Sequence, residues 1–376
     1  MSQNDEKLQE TEMTEEIKTS NEGQEAASQD AQQSHKRRVR YKGKYPKKFE
    51  EKYKELQPEK YQDTIQHVMQ KGNTPAGMHI SIMVKEIIDF LEIKPGEIGF
   101  DATLGYGGHT KAMLECLKGQ GHIYATDVDP EESAKTKKRL LEQGYGEEIL
   151  TIKLQNFCTI DEIAKEAGGF DFVLADLGVS SMQIDNPERG FSFKVEGPLD
   201  LRLNQKEGIS AAERLDTITK EELAGMLYEN SDEPYSEELA KAITDEIRRG
   251  NRMDTTKKLR DVIEKTLMFL PEKERKDTVK KTCQRVFQAL RIDVNNEFEV
   301  LYEFMEKLPE CIKPGGRAAI LTFHSGEDRL VKKALKSGYK AGIYSDYAKD
   351  VIRPSAKECA QNGRARSTKM RWAIKK

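Results

Sequence analysis

The sequence predicts an α/β fold, a mostly parallel, doubly wound sheet with helices on both faces, interrupted by a helical insert. Between residues 78 and 190, strand-like apolar runs alternate with segments of helical periodicity, which is typical of a parallel sheet. From about residue 197 the pattern becomes helical with little strand-like sequence, and strand-like runs return only near the C-terminus. Because the first part offers only four good strands, we expect the late strands to join the same sheet and not a second domain.

The individual elements follow in order from these patterns. Each predicted strand before the insert ends in a polar or glycine-rich loop, and a helical segment follows each loop. The predicted strands are EIGFDATLG, HIYATDVD, EILTIKLQNF and FDFVLADLG, then GGRAAILTFHS and STKMRWAI after the insert. The predicted domains are a disordered tail (1–45, acidic then basic), a helical extension and linker (46–77), the α/β domain (78–190 and 289–376) and the helical insert (191–288).

Composition narrows the class of protein. The net charge of −3 over 376 residues hides an acidic N-terminal segment without aromatics, followed by the basic HKRRVRYKGKYPKKF. The basic segment suits a polyanion such as RNA, or it is a solvated tail, and the sequence leaves both open. The five cysteines form no CxxC pair, and no apolar run is long enough to span a membrane. We therefore expect a cytoplasmic protein without a zinc site or a disulfide framework.

The glycine-rich loop DATLGYGGHT predicts a ligand site after the first strand. Gly105, Gly107 and Gly108 let the backbone approach a ligand at the carboxyl edge of a parallel sheet, although a tight turn with nothing bound explains them too. The spacing lacks the third glycine of a dinucleotide fingerprint, which points away from NAD.

Acidic and aromatic residues end the next three strands. Asp127 is placed to accept hydrogen bonds from ribose hydroxyls, whereas Asp129 is favoured as the N-cap of the helix that starts at Pro130. Phe157 either covers an adenine face or packs in the core. Asp176 closes an apolar strand, so its charge must meet water, a ligand or a partner. An adenosine-type ligand with no pyrophosphate indicates S-adenosylmethionine.

At this point the chain resembles the MraW/RsmH family of small-subunit (16S) ribosomal RNA methyltransferases. The resemblance covers residues 78 to 376 and depends on stretches that occur in the family's order: DATLGYGGHT, ATDVDP, ADLGVSSMQID, ERGFSF, GPLDLRLN, FQALRIDVNNE, FHSGEDRLVK and RARSTKMR. It implies a class I methyltransferase fold and methylation of the exocyclic N4 of a cytidine in the decoding region. Gly326, Gly363 and Ser81 depart from the family pattern.

The resemblance also implies the residues that bind S-adenosylmethionine. They are Gly107, Gly108, His109, Asp127, Phe157, Asp176 and Gln183, of which His109 and Gln183 come from the resemblance alone; the loop pattern itself adds Gly105. For the chemistry the candidates are Asp176, Ser180 and His324, with the backbone carbonyls of Leu177 to Val179 as acceptors for the N4 hydrogens. His324 is equally well explained as a structural histidine.

A flipped cytosine needs a surface for the flanking RNA. The predicted substrate-binding residues are Arg189, Phe191, Phe193, Arg202, Arg364 and Arg366, with a folding role for Arg189 and Phe191 as the alternative. The expected partner is ribosomal RNA in an assembled or nearly assembled small subunit, with no membrane and no metal. The oligomeric state, a homodimer included, stays open. The alternative functions are a methyltransferase for another RNA or protein, and a non-catalytic RNA-binding assembly factor.

Overall fold

A seven-stranded sheet forms the centre of the part of the chain that the computed structural model describes, residues 81–376. The strands are β1 (Ile98–Asp101), β2 (His122–Asp127), β3 (Leu150–Leu154), β4 (Phe170–Asp176), β5 (Ile312–Thr322), β6 (Tyr344–Tyr347) and β7 (Lys369–Lys375). Their order is β3-β2-β1-β4-β5-β7-β6, parallel from β3 to β5, with β7 antiparallel to both of its neighbours. The predicted mostly parallel α/β sheet is confirmed, and the strands after the insert join it.

Helices alternate with the strands and then accumulate between β4 and β5. They are α1 (Val84–Leu91), α2 (Gly108–Leu117), α3 (Pro130–Glu142), α4 (Ile160–Ala167), α5 (Ser181–Asp185), α6 (Ala211–Thr217), α7 (Lys220–Ser231), α8 (Ser236–Arg248), α9 (Thr256–Thr266), α10 (Glu272–Asn295), α11 (Glu297–Cys311), α12 (Ser325–Lys340) and α13 (Ala356–Gln361). The α3 N-terminus follows the sequence prediction, since Asp129 caps it by accepting from the backbone N–H groups of Glu131 and Glu132.

Both faces of the sheet are covered. Along β4, Val173 and Ala175 join one apolar cluster while Phe172 and Leu174 join another, so the alternating side chains of one strand supply both cores. A third cluster lies in the helices between β4 and β5 and includes the buried Leu290 of α10. These three cores hold the loops at the carboxyl edge of the sheet in place.

The helices of the predicted insert have a core of their own, but α10 runs without a break through the predicted boundary at 288/289. The domain boundaries therefore stay a proposal. The predictions for residues 1–45 and 46–77 lie outside the described residues. Among the helices of residues 81–376, none combines the length and apolar character needed to cross a membrane.

One strand was not predicted. β6 has four residues and lies at the edge of the sheet, where it pairs only with β7 among the described strands. Its central residues Ser345 and Asp346 are exposed. A short polar edge strand has no apolar alternation to indicate it, so only the pairing with β7 makes it recognisable.

Candidate active site

The order of the strands reverses between β1 and β4. β1 lies between β2 and β4, so the connections that leave β1 and β4 go to opposite sides, and a crevice opens beyond their carboxyl ends. A cavity of about 690 Å³ occupies this position. The loops after β1, β2, β3 and β4 line it, together with residues of α10 and of the segment 362–367. The fold thus brings segments from most of the described chain to one place.

The glycine loop after β1 forms one wall of the cavity. Gly107 has a left-handed backbone (φ 79°), and a Cβ there would lie 2.8 Å from Cγ2 of Thr136. At Gly108 a Cβ would lie 2.1 Å from the hydroxyl oxygen of Ser81. A side chain at either position would press on these neighbours, and at Gly107 the backbone conformation itself favours glycine.

Asp127 at the end of β2 is held by backbone groups. Its two carboxylate oxygens accept from the N–H groups of Gly105 and Asp129, each at 2.9 Å. Burial raises the pKa of Asp127 to about 6, against the lowering effect of these hydrogen bonds. The carboxylate lines the cavity and retains acceptor capacity for the hydroxyl groups of a ligand.

Asp129, unlike Asp127, is part of a buried ion pair beside the cavity. Its Oδ2 lies 2.6 Å from Nη1 of Arg189 and 2.9 Å from Nε2 of Gln183. The Arg189 guanidinium also donates to the carbonyls of Arg202 and Leu203. Arg189 is 6% exposed and does not line the cavity. These contacts favour the alternative, a folding role for Arg189, because this side chain joins the α3 cap to the segment that enters the insert.

Gln183 lines the cavity, but both ends of its amide are engaged. Nε2 donates to Asp129, and Oε1 accepts from the backbone N–H of Ser180. The Ser180 hydroxyl in turn accepts from the N–H of Gln183, so the two residues form the capping box of α5. Both residues fix the loop after β4, and their roles toward a ligand stay proposals.

Asp176 is the predicted residue with the clearest unmet need for a partner. Its Oδ1 is buried and accepts no hydrogen bond from the described residues, while Oδ2 lies 3.4 Å from Nδ1 of His109. His109 donates from Nε2 to the carbonyl of Ile82 at 2.9 Å. Burial lowers the pKa of His109, but the hydrogen bond and negative charge of Asp176, together with the Ile82 carbonyl and Asp101, outweigh burial and raise this pKa. A buried carboxylate oxygen without a partner among the described residues thus lies beside the His109 imidazole at the cavity wall.

His324 does not line the cavity. It is the N-cap of α12, and its Nδ1 lies 3.5 Å from the backbone nitrogen of Glu327. The Nε2 atom lies 3.1 Å from Oε1 of Glu327 without the geometry of a hydrogen bond. Of the two readings of His324, the structure supports the structural one and not the catalytic one, since its ring is used at the start of α12.

Glu327 connects His324 to two charged residues of the cavity wall. Glu297, His324 and Glu327 bring ligand-type atoms within 4.8 Å of one another. Glu297 already accepts two hydrogen bonds from Arg291, at 2.7 and 2.8 Å. Burial works against ionisation of Glu327, but the nearby imidazole and guanidinium hold its pKa below the usual value. Arg291, Glu297, His324 and Glu327 thus form a network of charged side chains beside the cavity.

The predicted aromatic residues line the cavity from two sides. Phe157 packs edge-on against Phe304, with ring centroids 5.2 Å apart. Phe193 packs against Phe287 at 5.8 Å, and Phe191 belongs to the core of the insert. Each ring is thus anchored in a core while part of it borders the cavity, so the core and ligand readings of these residues do not exclude one another.

The remaining predicted arginines differ in whether their side chains are free to contact a ligand. Arg202 is paired with Asp200 at 2.8 Å and does not line the cavity, so its predicted contact with RNA has no support in the structure. Arg364 lines the cavity and is held by both carboxylate oxygens of Asp185 at 2.9 Å. Arg366 also lines it, is exposed and has no ion pair among the described residues. Arg366 is therefore the arginine best placed to meet a phosphate.

Three residues of α10 line the cavity and were not predicted. Gln284, Arg291 and Asn295 follow one another at seven and four residues, which places them on one face of a helix. Asn295 holds the wall by donating to the carbonyl of Leu201 and accepting from the N–H of Leu203, both at 2.8 Å. The helical spacing of these polar residues was the available signal, but nothing in the sequence indicated that this face meets the loop after β1.

Residues 76–376 match the MraW methylase family. The chain is a member of that family. A relative from Agathobacter rectalis called ribosomal RNA small subunit methyltransferase H 1 is 83% identical, over 92% of this chain and 99% of that protein. A relative of the same name from Lachnoclostridium phytofermentans is 68% identical, over 91% and 93% of the two chains. A solved rRNA methylase from Streptococcus thermophilus is 14% identical, over 79% of this chain and 99% of that one, with a TM-score of 0.36.

The match to the MraW family spans both halves of the sheet and the helices between them. The fold is therefore the class I, Rossmann-like methyltransferase fold, with the strand order described above. The segments that carried the resemblance in the sequence meet at the cavity: the loops after β1 and β4, part of α10, and residues 362–367.

Proposed function

We propose that the protein transfers a methyl group from S-adenosylmethionine to the exocyclic N4 of a cytidine in the decoding region of small-subunit ribosomal RNA. Membership of the MraW family and the names of the relatives support an rRNA methyltransferase. The observation that carries the proposal is the cavity at the β1/β4 crevice, since all eight residues predicted to bind the methyl donor line it.

The residues present fit the methyl donor. The glycine loop brings its backbone to the wall of the cavity, and Asp127 can accept from ribose hydroxyls. The buried Asp176 Oδ1 offers an acceptor without a partner, which a donor group of the ligand would satisfy. We assign the rest of the donor site to Gly105, His109, Phe157 and Gln183.

When bound, the sulfonium donor supplies its methyl group as an electrophile, and its sulfur keeps the electron pair of the broken C–S bond. The protein must hold the cytosine N4 in line with that carbon, because the amine lone pair is delocalised into the ring. N4 forms one bond to carbon and loses one proton, which passes to solvent water.

The loop after β4 is the part of the chain placed to hold N4. Gly178 has φ 96°, so the chain turns sharply between Leu177 and Val179, and all three residues line the cavity. We assign the N4 hydrogens to backbone carbonyls of this loop and to the Ser180 hydroxyl. Ser180 remains able to donate or accept beyond its capping bond.

A cytosine inside a helix cannot reach this cavity unless it leaves its stack. Phe193, between the cavity and the core of the insert, is placed to contact the flipped base, and Arg366 to contact a neighbouring phosphate. We propose the assembled or nearly assembled small subunit as the substrate and the cytoplasm as the site of action.

The test uses small subunits from a strain that lacks this protein. They are incubated with the purified protein and labelled S-adenosylmethionine, and the labelled nucleoside is identified after digestion. We expect N4-methylcytidine at a single position. Label at a carbon or a ring nitrogen would refute the stated reaction, and donor binding without any transfer would favour an assembly factor.

A further inference from the structure

Helix α10 has one face that runs out of the cavity onto the protein surface. Its 24 residues span about 36 Å. Gln284, Arg291 and Asn295 on this face line the cavity. Four and eleven residues before Gln284, the same face carries Lys280 and Lys273, both exposed. These lysines lie about 6 and 17 Å along the axis from Gln284, on the side away from the cavity.

This outer half of α10 is basic. Between Glu272 and Arg285 it carries six basic and three acidic residues. Lys276 and Lys281 are also exposed and flank the face, while Asp277 is an acidic residue within it. We call Lys273, Lys276, Lys280 and Lys281 the α10 lysine face.

None of these four lysines has an ion pair among residues 81–376. The preceding helix α9 differs, because each of its lysines and its arginine is paired with a carboxylate. Arg275 and Arg285 of α10 are engaged as well, with the Leu270 carbonyl and with Glu233. The charge of the lysine face is therefore available to a partner, and an unpaired row of cations beside a cavity suits a polyanion.

We propose that the α10 lysine face binds the phosphate backbone of the RNA that flanks the target nucleotide. In this arrangement the RNA strand passes Gln284 at the nucleotide whose base enters the cavity. The inference rests on the proposed function. An RNA strand with one nucleotide in the cavity has to leave the cavity past its walls. Helix α10 forms one of these walls and extends outward from the cavity. Lysine heads on flexible stems contact phosphates without reading sequence, so these contacts position the RNA.

The experiment replaces all four lysines of the face with alanine. Alanine favours helix in exposed positions, so the variant should keep its unfolding midpoint and its affinity for S-adenosylmethionine. The matched control replaces Lys332, Lys333, Lys336 and Lys340 of α12 with alanine, since these are also four exposed lysines on one helix. A third variant replaces the α10 lysines with arginine.

Binding to unmodified small subunits is measured against salt concentration, with S-adenosylhomocysteine present. We expect the α10 alanine variant to bind at least tenfold more weakly at low salt, with a log–log salt slope shallower by about 2 to 3, because each phosphate contact on a single strand contributes about 0.7. The α12 control should match the unmodified protein, and the arginine variant should restore the slope.

Equal losses in the α10 and α12 variants would overturn the proposal, since they would reflect overall charge alone. A weaker α10 variant with an unchanged salt slope would also overturn it. Methyl transfer is measured in parallel and decides the proposed function separately: if the unmodified protein binds with the expected salt dependence but transfers no methyl group, the lysine face stands and the reaction fails.

Discussion

Replacing Arg189 with methionine should lower the free energy of unfolding by about 3 to 5 kcal/mol, because it breaks a buried ion pair and leaves one charge behind. The side chains of Arg189 and Asp129 are 7% and 2% exposed, and their charged atoms lie 2.6 Å apart. The variant also removes the two hydrogen bonds to the carbonyls of Arg202 and Leu203. Asp129 keeps Gln183 and two backbone N–H groups, so the lower end of the range is the better expectation.

The assay is urea unfolding at pH 7, in which a lower midpoint at constant slope reports lost stability. Arg252→Met is the matched control, since Arg252 pairs with Asp216 at the same 2.6 Å but the two side chains are 53% and 30% exposed. An exposed pair contributes only about 0 to 1 kcal/mol. The double variant with Asp129→Asn should cost clearly less than the sum of its two single variants, because both remove the same interaction.

The pH dependence gives an independent check. Burial raises the pKa of Asp129, but the hydrogen bonds from Arg189 and Gln183 outweigh it, so the pKa lies below its usual value. The stabilisation by this carboxylate is therefore fully present above the unfolded pKa of about 4 and is lost as the pH falls through the lowered native value. As the pH falls, the gap between the unmodified protein and Arg189→Met should narrow from the pH at which Asp129 of the variant takes up a proton, which lies above the value in the unmodified protein because the guanidinium is gone. A gap within 1 kcal/mol at pH 7 would refute the reasoning.

Four further predictions concern the donor site. Burial raises the pKa of Asp127 to about 6. Affinity for S-adenosylmethionine, measured by isothermal titration, should therefore fall about tenfold from pH 7 to pH 5 as the carboxylate takes up a proton. The Asp127→Asn variant should show no such change in affinity over this range. In the same window, the contribution of Asp127 to the unfolding free energy of the donor-free protein should decrease as the pH rises, because the native state binds the proton more tightly. Gly107→Ala should destabilise the protein more than Gly119→Ala in urea unfolding, because both have positive φ but a Cβ meets a neighbour within 4 Å only at Gly107. Asp176→Asn should reduce donor binding and methyl transfer together, whereas retained binding with no transfer would assign Asp176 to the N4 hydrogens.

Much of the site could be predicted because its signals are local. The loop after β1 contains Gly107 within a few residues of its strand, and Asp127 and Asp176 each end an apolar run. Parallel strands place their carboxyl ends at one edge, so residues that follow different strands meet there whatever their separation in the chain. The prediction that Asp129 is the α3 cap succeeded for the same reason, because a cap depends on the next few residues.

The sequence by itself determined the alternation of strands and helices, the glycine loop and the acidic residues at the strand ends, since these depend on periodicity and short spacing. Only the tertiary structure decided which charged residues are free. Arg189 is paired across 60 positions and Arg364 across 179, whereas the lysines of α10 have no ion pair among residues 81–376. The availability of a charge depends on which distant group packs beside it, and packing between distant segments leaves no pattern in the local sequence.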